Sequence, residues 1–178
     1  MEYQIKAIET KYAGVNFRSR LEAKWAAMFD LLRWEWTYEP CDFNGWIPDF
    51  AIRGSRQLVY VEVKPVGHFP EEVASEIDAS GCDQEPLIVG VGPFVNYDNP
   101  MLGWLNEKAS PESWWSEAVF GRWREGGGTI GFCHSEGVYD DRITGSYDGG
   151  SFGASYVSVG EIAMLWREAG NRTRWTPR

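Results

Sequence analysis

Positive charge is in short supply in this chain. Seventeen Lys and Arg stand against 26 Asp and Glu over 178 residues, a formal net charge of −9. That balance excludes a protein that coats nucleic acid through a general positive field, but it leaves room for an enzyme with a local basic groove. Cysteine is scarce too. Cys41, Cys82 and Cys133 are odd in number and far apart, so a disulfide framework is not expected and a reducing, cytoplasmic setting is. The longest nearly apolar stretch, residues 86–95, is too short to span a bilayer. The start, Met1-Glu2-Tyr3-Gln4, lacks the basic and apolar regions of a signal peptide. A soluble protein with no membrane partner is the expectation.

What is plentiful is aromatic. Phe, Trp and Tyr make up 15% of the chain and ten residues are Trp, within a hydrophobic content of 43%. That is enough for a core, so disorder is not expected over most of the length. The size suits one domain with a smaller appended lobe.

Phe17, Leu21, Trp25, Met28 and Leu32 recur at steps of three and four, which predicts a helix over residues 16–33 with Asn16 as a plausible N-cap. Short strands follow at residues 34–39 and 46–52. A third runs over 57–64, where Val59, Val61 and Val63 alternate with Tyr60, Glu62 and Lys64. Residues 70–79 read as a second helix, with Glu71 and Glu72 in its first turn. Residues 86–91 read as a buried strand. This order predicts an α/β fold, a mixed sheet flanked by helices, over residues 1–94. Residues 95–178 are rich in Gly and Trp and read as a C-terminal lobe packed on that core as one domain. Within it, Trp114-Trp115 and Val119-Phe120 suggest a short helix and residues 129–134 a strand. A final helix covers 158–169, with a capping box at Ser158 and Glu161 and a stop at Gly170.

Asp49, preceded by Pro48, opens the second extended segment, and Glu62 and Lys64 share one face of the third strand. If those strands pair as a hairpin, Asp49 approaches Glu62 and a divalent ion can lie between the two carboxylates. Magnesium favours such hard oxygen ligands, and the main-chain carbonyl of Val63 is a further candidate. Lys64 can orient a water or offset charge in the transition state. Glu22, at the edge of the apolar stripe of the first helix, is placed to join directly or through water. Arg18, Arg20 and Lys24 beside it are candidates for phosphate contacts, as are Arg172 and Arg174 in the tail.

Pro48-Asp49 followed by Glu62-Val63-Lys64, with a Glu on a preceding helix, resembles the PD-(D/E)xK nuclease superfamily. The stretch from Phe17 to Trp25 also resembles small nuclease-like proteins of phages and mobile elements. The similarity covers residues 12–91, about half of the chain. It implies a restriction-endonuclease-like fold, Mg2+ or Mn2+ as cofactor with no organic cofactor, and DNA as partner. Asp49, Glu62 and Glu22 would hold the metal and Lys64 would assist hydrolysis. The expected function is a metal-dependent DNA endonuclease in phage or mobile-element DNA processing, such as recombination, branch resolution or end cutting. Many nucleases of this fold pair up to cut two strands, so a homodimer is a further expectation the resemblance allows. The rival readings are a nuclease-fold binding protein that inhibits a host or defence factor, favoured by the acidity, and an RNA-directed nuclease.

Weaker signals are His68 and Glu76, close to the third strand. Cys82, Cys133 and His134 lack the paired spacing of a zinc site. Trp104, Trp114, Trp115 and Trp123 read as a small core or as stacking surfaces for bases. Trp175 lies in the basic tail.

Overall fold

The computed structural model describes residues 7–108, 114–147 and 155–174; Trp175 lies outside them. The chain opens with a small hairpin of β1 (Thr10–Tyr12) and β2 (Val15–Phe17). The helix α1 (Arg20–Leu31) comes next. It starts four residues later than the periodicity implies, because Phe17 is spent in β2, where it is almost fully buried. Asn16 is therefore not the cap. Ser19 is, and its Oγ accepts from the Glu22 amide at 3.1 Å.

The main sheet then builds up. β3 (Trp36–Tyr38), β4 (Phe50–Arg53) and β5 (Leu58–Val63) form an antiparallel meander. The helix α2 (Glu71–Ala79) carries the chain over to β6 (Pro86–Val89), which pairs parallel with β5. A crossover helix is what parallel neighbours require. β7 (Phe94–Asn96), β8 (Asn99–Glu107), β9 (Trp114–Arg122), β10 (Gly131–His134) and β11 (Ser155–Tyr156) extend the same sheet. Its main path runs β10-β9-β8-β6-β5-β4-β3. The last helix is α3 (Val159–Arg172), capped by Ser158.

Two expectations are corrected here. Residues 114–122 form a strand rather than a short helix. Their buried side chains include Ser116, Ala118 and Phe120 at every second position, and both neighbours, β8 and β10, supply ladder partners. Paired Trp and the Val-Phe step favour a pleated surface once those neighbours exist. Gly170 does not stop α3, which continues to Arg172. The line drawn between residues 94 and 95 falls inside β7, and β8 pairs directly with β6. The Gly- and Trp-rich half thus shares one sheet with the first half.

Alternation along β5 and β6 gives the sheet two apolar faces. Val59, Val61, Val63, Leu87 and Val89 join α1 and α3 in the main core, where Trp25 is fully buried and packs on Trp166 with ring centroids 4.6 Å apart. On the other face, Ile88 and Trp104 meet Ala74 and Ile77 of α2. Trp123, Cys133 and Met101 form a third cluster, while Trp114 remains partly exposed. Covered on both faces, β5 is a rigid platform whose C-terminal end opens at Glu62 to Lys64. No helix among the described residues is long and apolar enough to cross a membrane.

Candidate active site at the end of β5

Three buried carboxylates come to this end from three elements. Glu62 is on β5, Asp49 is the residue before β4, and Glu22 is in the first turn of α1; each is less than 10% exposed. The β4–β5 register, with Phe50 opposite Val61, carries Asp49 past the last ladder pair. Its Oδ2 accepts from the Val63 amide at 2.7 Å. The N–H and C=O of one strand residue leave on the same edge, so the Val63 carbonyl is on the Asp49 side as well.

Every oxygen of the three carboxylates has a donor. Asp49 Oδ1 receives Arg18 Nη2 at 2.6 Å. Glu62 Oε1 pairs with Lys64 Nζ at 2.8 Å, and Glu62 Oε2 accepts from Trp46 Nε1 at 2.9 Å. Glu22 Oε1 accepts from Ser19 Oγ at 2.9 Å and Glu22 Oε2 from the Tyr38 hydroxyl at 2.6 Å. The two cations differ from the rest of the set because they reach water. The Arg18 side chain is 60% exposed and that of Lys64 37%. Each can leave its carboxylate for a phosphate without losing solvation.

Titration behaviour follows from this crowding. Burial and then the charge of Glu62 push Asp49 up to about 7, with Glu22 adding to the effect and the Val63 amide and Arg18 opposing it. Burial disfavours the Lys64 ammonium, but its bond to Glu62 and the fields of Glu62, Asp49 and Glu76 outweigh that, and its pKa is raised. Lys64 is therefore a cation at neutral pH and acts as a donor, not a base. Burial and the bond to Glu22 push the Tyr38 hydroxyl up to about 12, so it too stays a donor.

Comparison with family models, curated proteins and solved structures found no match to this chain. The chemistry of the site rests on its own atoms. Among the described residues, no group of three or more His, Cys, Asp or Glu side chains is gathered as a metal-holding set. A magnesium site does not need one, since two carboxylates with waters suffice. Asp49, Glu62 and the Val63 carbonyl offer hard oxygens only, and a cation between the carboxylates would relieve the Glu62 repulsion that, after burial, raises Asp49. The donor set fits Mg2+ or Mn2+ in kind, and Glu22, within electrostatic reach of Asp49, would be a further oxygen donor of the same class.

The remaining candidates divide. Arg18 is in the site. Arg20, Lys24 and Arg174 line a separate cleft between α1 and α3, together with Arg167, which sequence reading passed over. Arg172 instead pairs with Glu168 at 3.4 Å. His68 is exposed in the loop after β5, and Glu76 is exposed on α2, within electrostatic reach of Lys64. His134 is fully buried; the Trp114 carbonyl accepts from its Nε2 and its Nδ1 accepts from the Glu136 amide, which fixes a neutral ring. Ser19, Tyr38 and Trp46 are the partners that sequence reading missed. For Ser19 a signal was present, since Ser19 and Glu22 have capping-box spacing. Tyr38 and Trp46 reach the site only through tertiary folding.

Proposed function

We propose that this protein is a metal-dependent nuclease that hydrolyses DNA phosphodiesters, built on a restriction-endonuclease-like variant of the mixed sheet. One observation carries the reading: Asp49, Glu62 and Lys64 meet at the open end of β5, with the Asp49 carboxylate anchored on the Val63 amide. A buried pair of like charges with a perturbed titration is costly to maintain for structure alone, and such costs concentrate at functional sites. Mg2+ or Mn2+ would be held by Asp49, Glu62 and the Val63 carbonyl. When bound, such an ion stabilises charge on phosphoryl oxygens and acidifies water.

The chain's own residues supply the rest. Lys64, kept protonated by Glu62, donates from Nζ to the attacking water or to a non-bridging oxygen. Arg18 exchanges its contact with Asp49 Oδ1 for a phosphate oxygen, using the planar fork suited to that partner. Ser19 and Tyr38 hold Glu22 toward the site. Trp46 fixes the Glu62 carboxylate and screens one side of it. Phage or mobile-element DNA processing is the setting this reading favours.

The test is cleavage of supercoiled plasmid, linear duplex, single-stranded DNA, a four-way junction and single-stranded RNA with Mg2+ or Mn2+. Asp49→Ala and Lys64→Ala run alongside. Cleavage of DNA that falls by at least about a hundredfold in both variants is the expected result. Cleavage of RNA alone would move the reading to an RNA-directed nuclease. No cleavage, with no metal uptake beyond that of Glu62→Ala, would sink it in favour of a protein-binding role.

A further inference from the structure

The last turns of α3 lie against the first turns of α1, and a cleft of about 320 Å3 opens between them. Its charged walls are Arg20 and Lys24 from α1, Arg167 from α3 and Arg174 just beyond the end of α3, and no acidic side chain lines it. None of these four cations comes within 4.0 Å of a carboxylate among the described residues. In a chain of net charge −9, this is a local reversal of sign. Like charges held together without counter-ions repel, so their grouping needs an anion to make it favourable.

Gly170 adds an independent sign. Glycine inside a helix is worse than alanine by about 1 kcal/mol. A Cβ at this position would come within 3.2 Å of Lys24 Cε and 3.3 Å of its Nζ. The glycine leaves room for the ammonium, which also stands over the Trp166 ring at 4.0 Å. Burial lowers the pKa of Lys24 with no acid to offset it.

Helix geometry relates the cleft to the carboxylates. Arg20 and Lys24, four residues apart, share one face of α1, whereas Glu22 is about 200° from each and faces Tyr38. The two sites are thus separated by roughly one helix diameter, about 10–12 Å. Arg18 and Arg20 mark a path between them around the N-terminal end of the helix.

We propose that the α1–α3 cleft anchors the sugar–phosphate backbone of a nucleic-acid strand. At about 3.4 Å per nucleotide, the anchored phosphate is on the order of three nucleotides from the one at the carboxylates. That spacing rests on the hydrolytic reading above; the anion site does not.

The experiment is anisotropy of labelled single-stranded and duplex DNA over a salt series, with Ca2+ in place of Mg2+. Wild type and Arg20→Gln/Arg167→Gln are compared, with Arg53→Gln, whose side chain is exposed and paired with Glu35, as control. The double variant is expected to bind at least tenfold more weakly. Its salt slope in duplex DNA should be shallower by about 0.9 for each phosphate it no longer neutralises. Arg53→Gln should keep the wild-type slope. An unchanged slope in the double variant overturns the cleft, whatever happens to cleavage. So does wild type that binds neither DNA, or that binds inorganic tripolyphosphate as tightly as any oligonucleotide. Loss of binding in the double variant, beside a wild type that never cleaves, would keep the cleft and discard the hydrolytic reading.

Discussion

Asp49 shows how one side chain can be held at a cost to stability. In the folded protein it titrates near 7, against an ordinary value of 3.8. Between roughly pH 4 and 7 the folded state keeps a proton that the unfolded chain has released. Stability therefore falls as pH rises through that window, by on the order of 4 kcal/mol at most. His134 works in the other sense: burial lowers its pKa, so acid below about 6.5 favours the unfolded chain. Comparison with Asp49→Asn, which keeps an acceptor for the Val63 amide, isolates the first contribution. Urea unfolding across pH 4–8 should show the variant gaining on wild type as pH rises; parallel pH profiles for the two would refute the raised titration. At this scale the sequence was readable where residues are two apart. Glu62 and Lys64 share a strand face by period alone, and Asp49 follows from a hairpin. The hydrogen-bond partners were not readable, because Tyr38 and Trp46 meet Glu22 and Glu62 across sixteen residues in each case.

At the scale of elements, α1, β5, α2 and β6 emerge close to where periodicity puts them, since each has a long, consistent pattern. The misreadings have local causes. Phe17 has the right spacing for the α1 stripe but is buried from a strand instead. Trp114 to Arg122 carries no strand pattern that survives its glycine-rich surroundings, and only the neighbouring strands decide its form. Gly170 looks like a stop because glycine usually is one, whereas here it makes room for a lysine. That difference can be measured. Gly170→Ala should leave the melting temperature unchanged or raise it, by up to about 1 kcal/mol of stability, because the flexible end of Lys24 can yield a few tenths of an ångström. A loss of more than about 1 kcal/mol would mean that α3 does not run through residue 170.

At the scale of the whole molecule, a buried ion-pair cluster joins distant parts of the chain. Arg142 is 8% exposed, and it bonds Glu85, just before β6, at 2.6 Å and Asp140 at 2.6 Å. Removing one partner of such a cluster strands the others in low dielectric. Arg142→Ala should cost about 3–5 kcal/mol in denaturant unfolding, and a cost below about 1 kcal/mol would show that water reaches Glu85. The sharing of one sheet by both halves was the feature least legible in the sequence. The pairing of β6 with β8 joins Leu87 to Leu105, and no short-range pattern encodes it.

The packing of α1 on α3 also gives the molecule a timetable. Residues 18–64 leave the ribosome ahead of α3, and Trp25 finds its partner Trp166 only after about 100 further residues, roughly 5–20 s later at ordinary synthesis rates. Until then the flank of α1 that packs on α3 is bare, and the cleft has only one of its walls. A nascent chain therefore passes through translation with its three carboxylates encoded early and the second wall of its basic cleft supplied only when α3 follows.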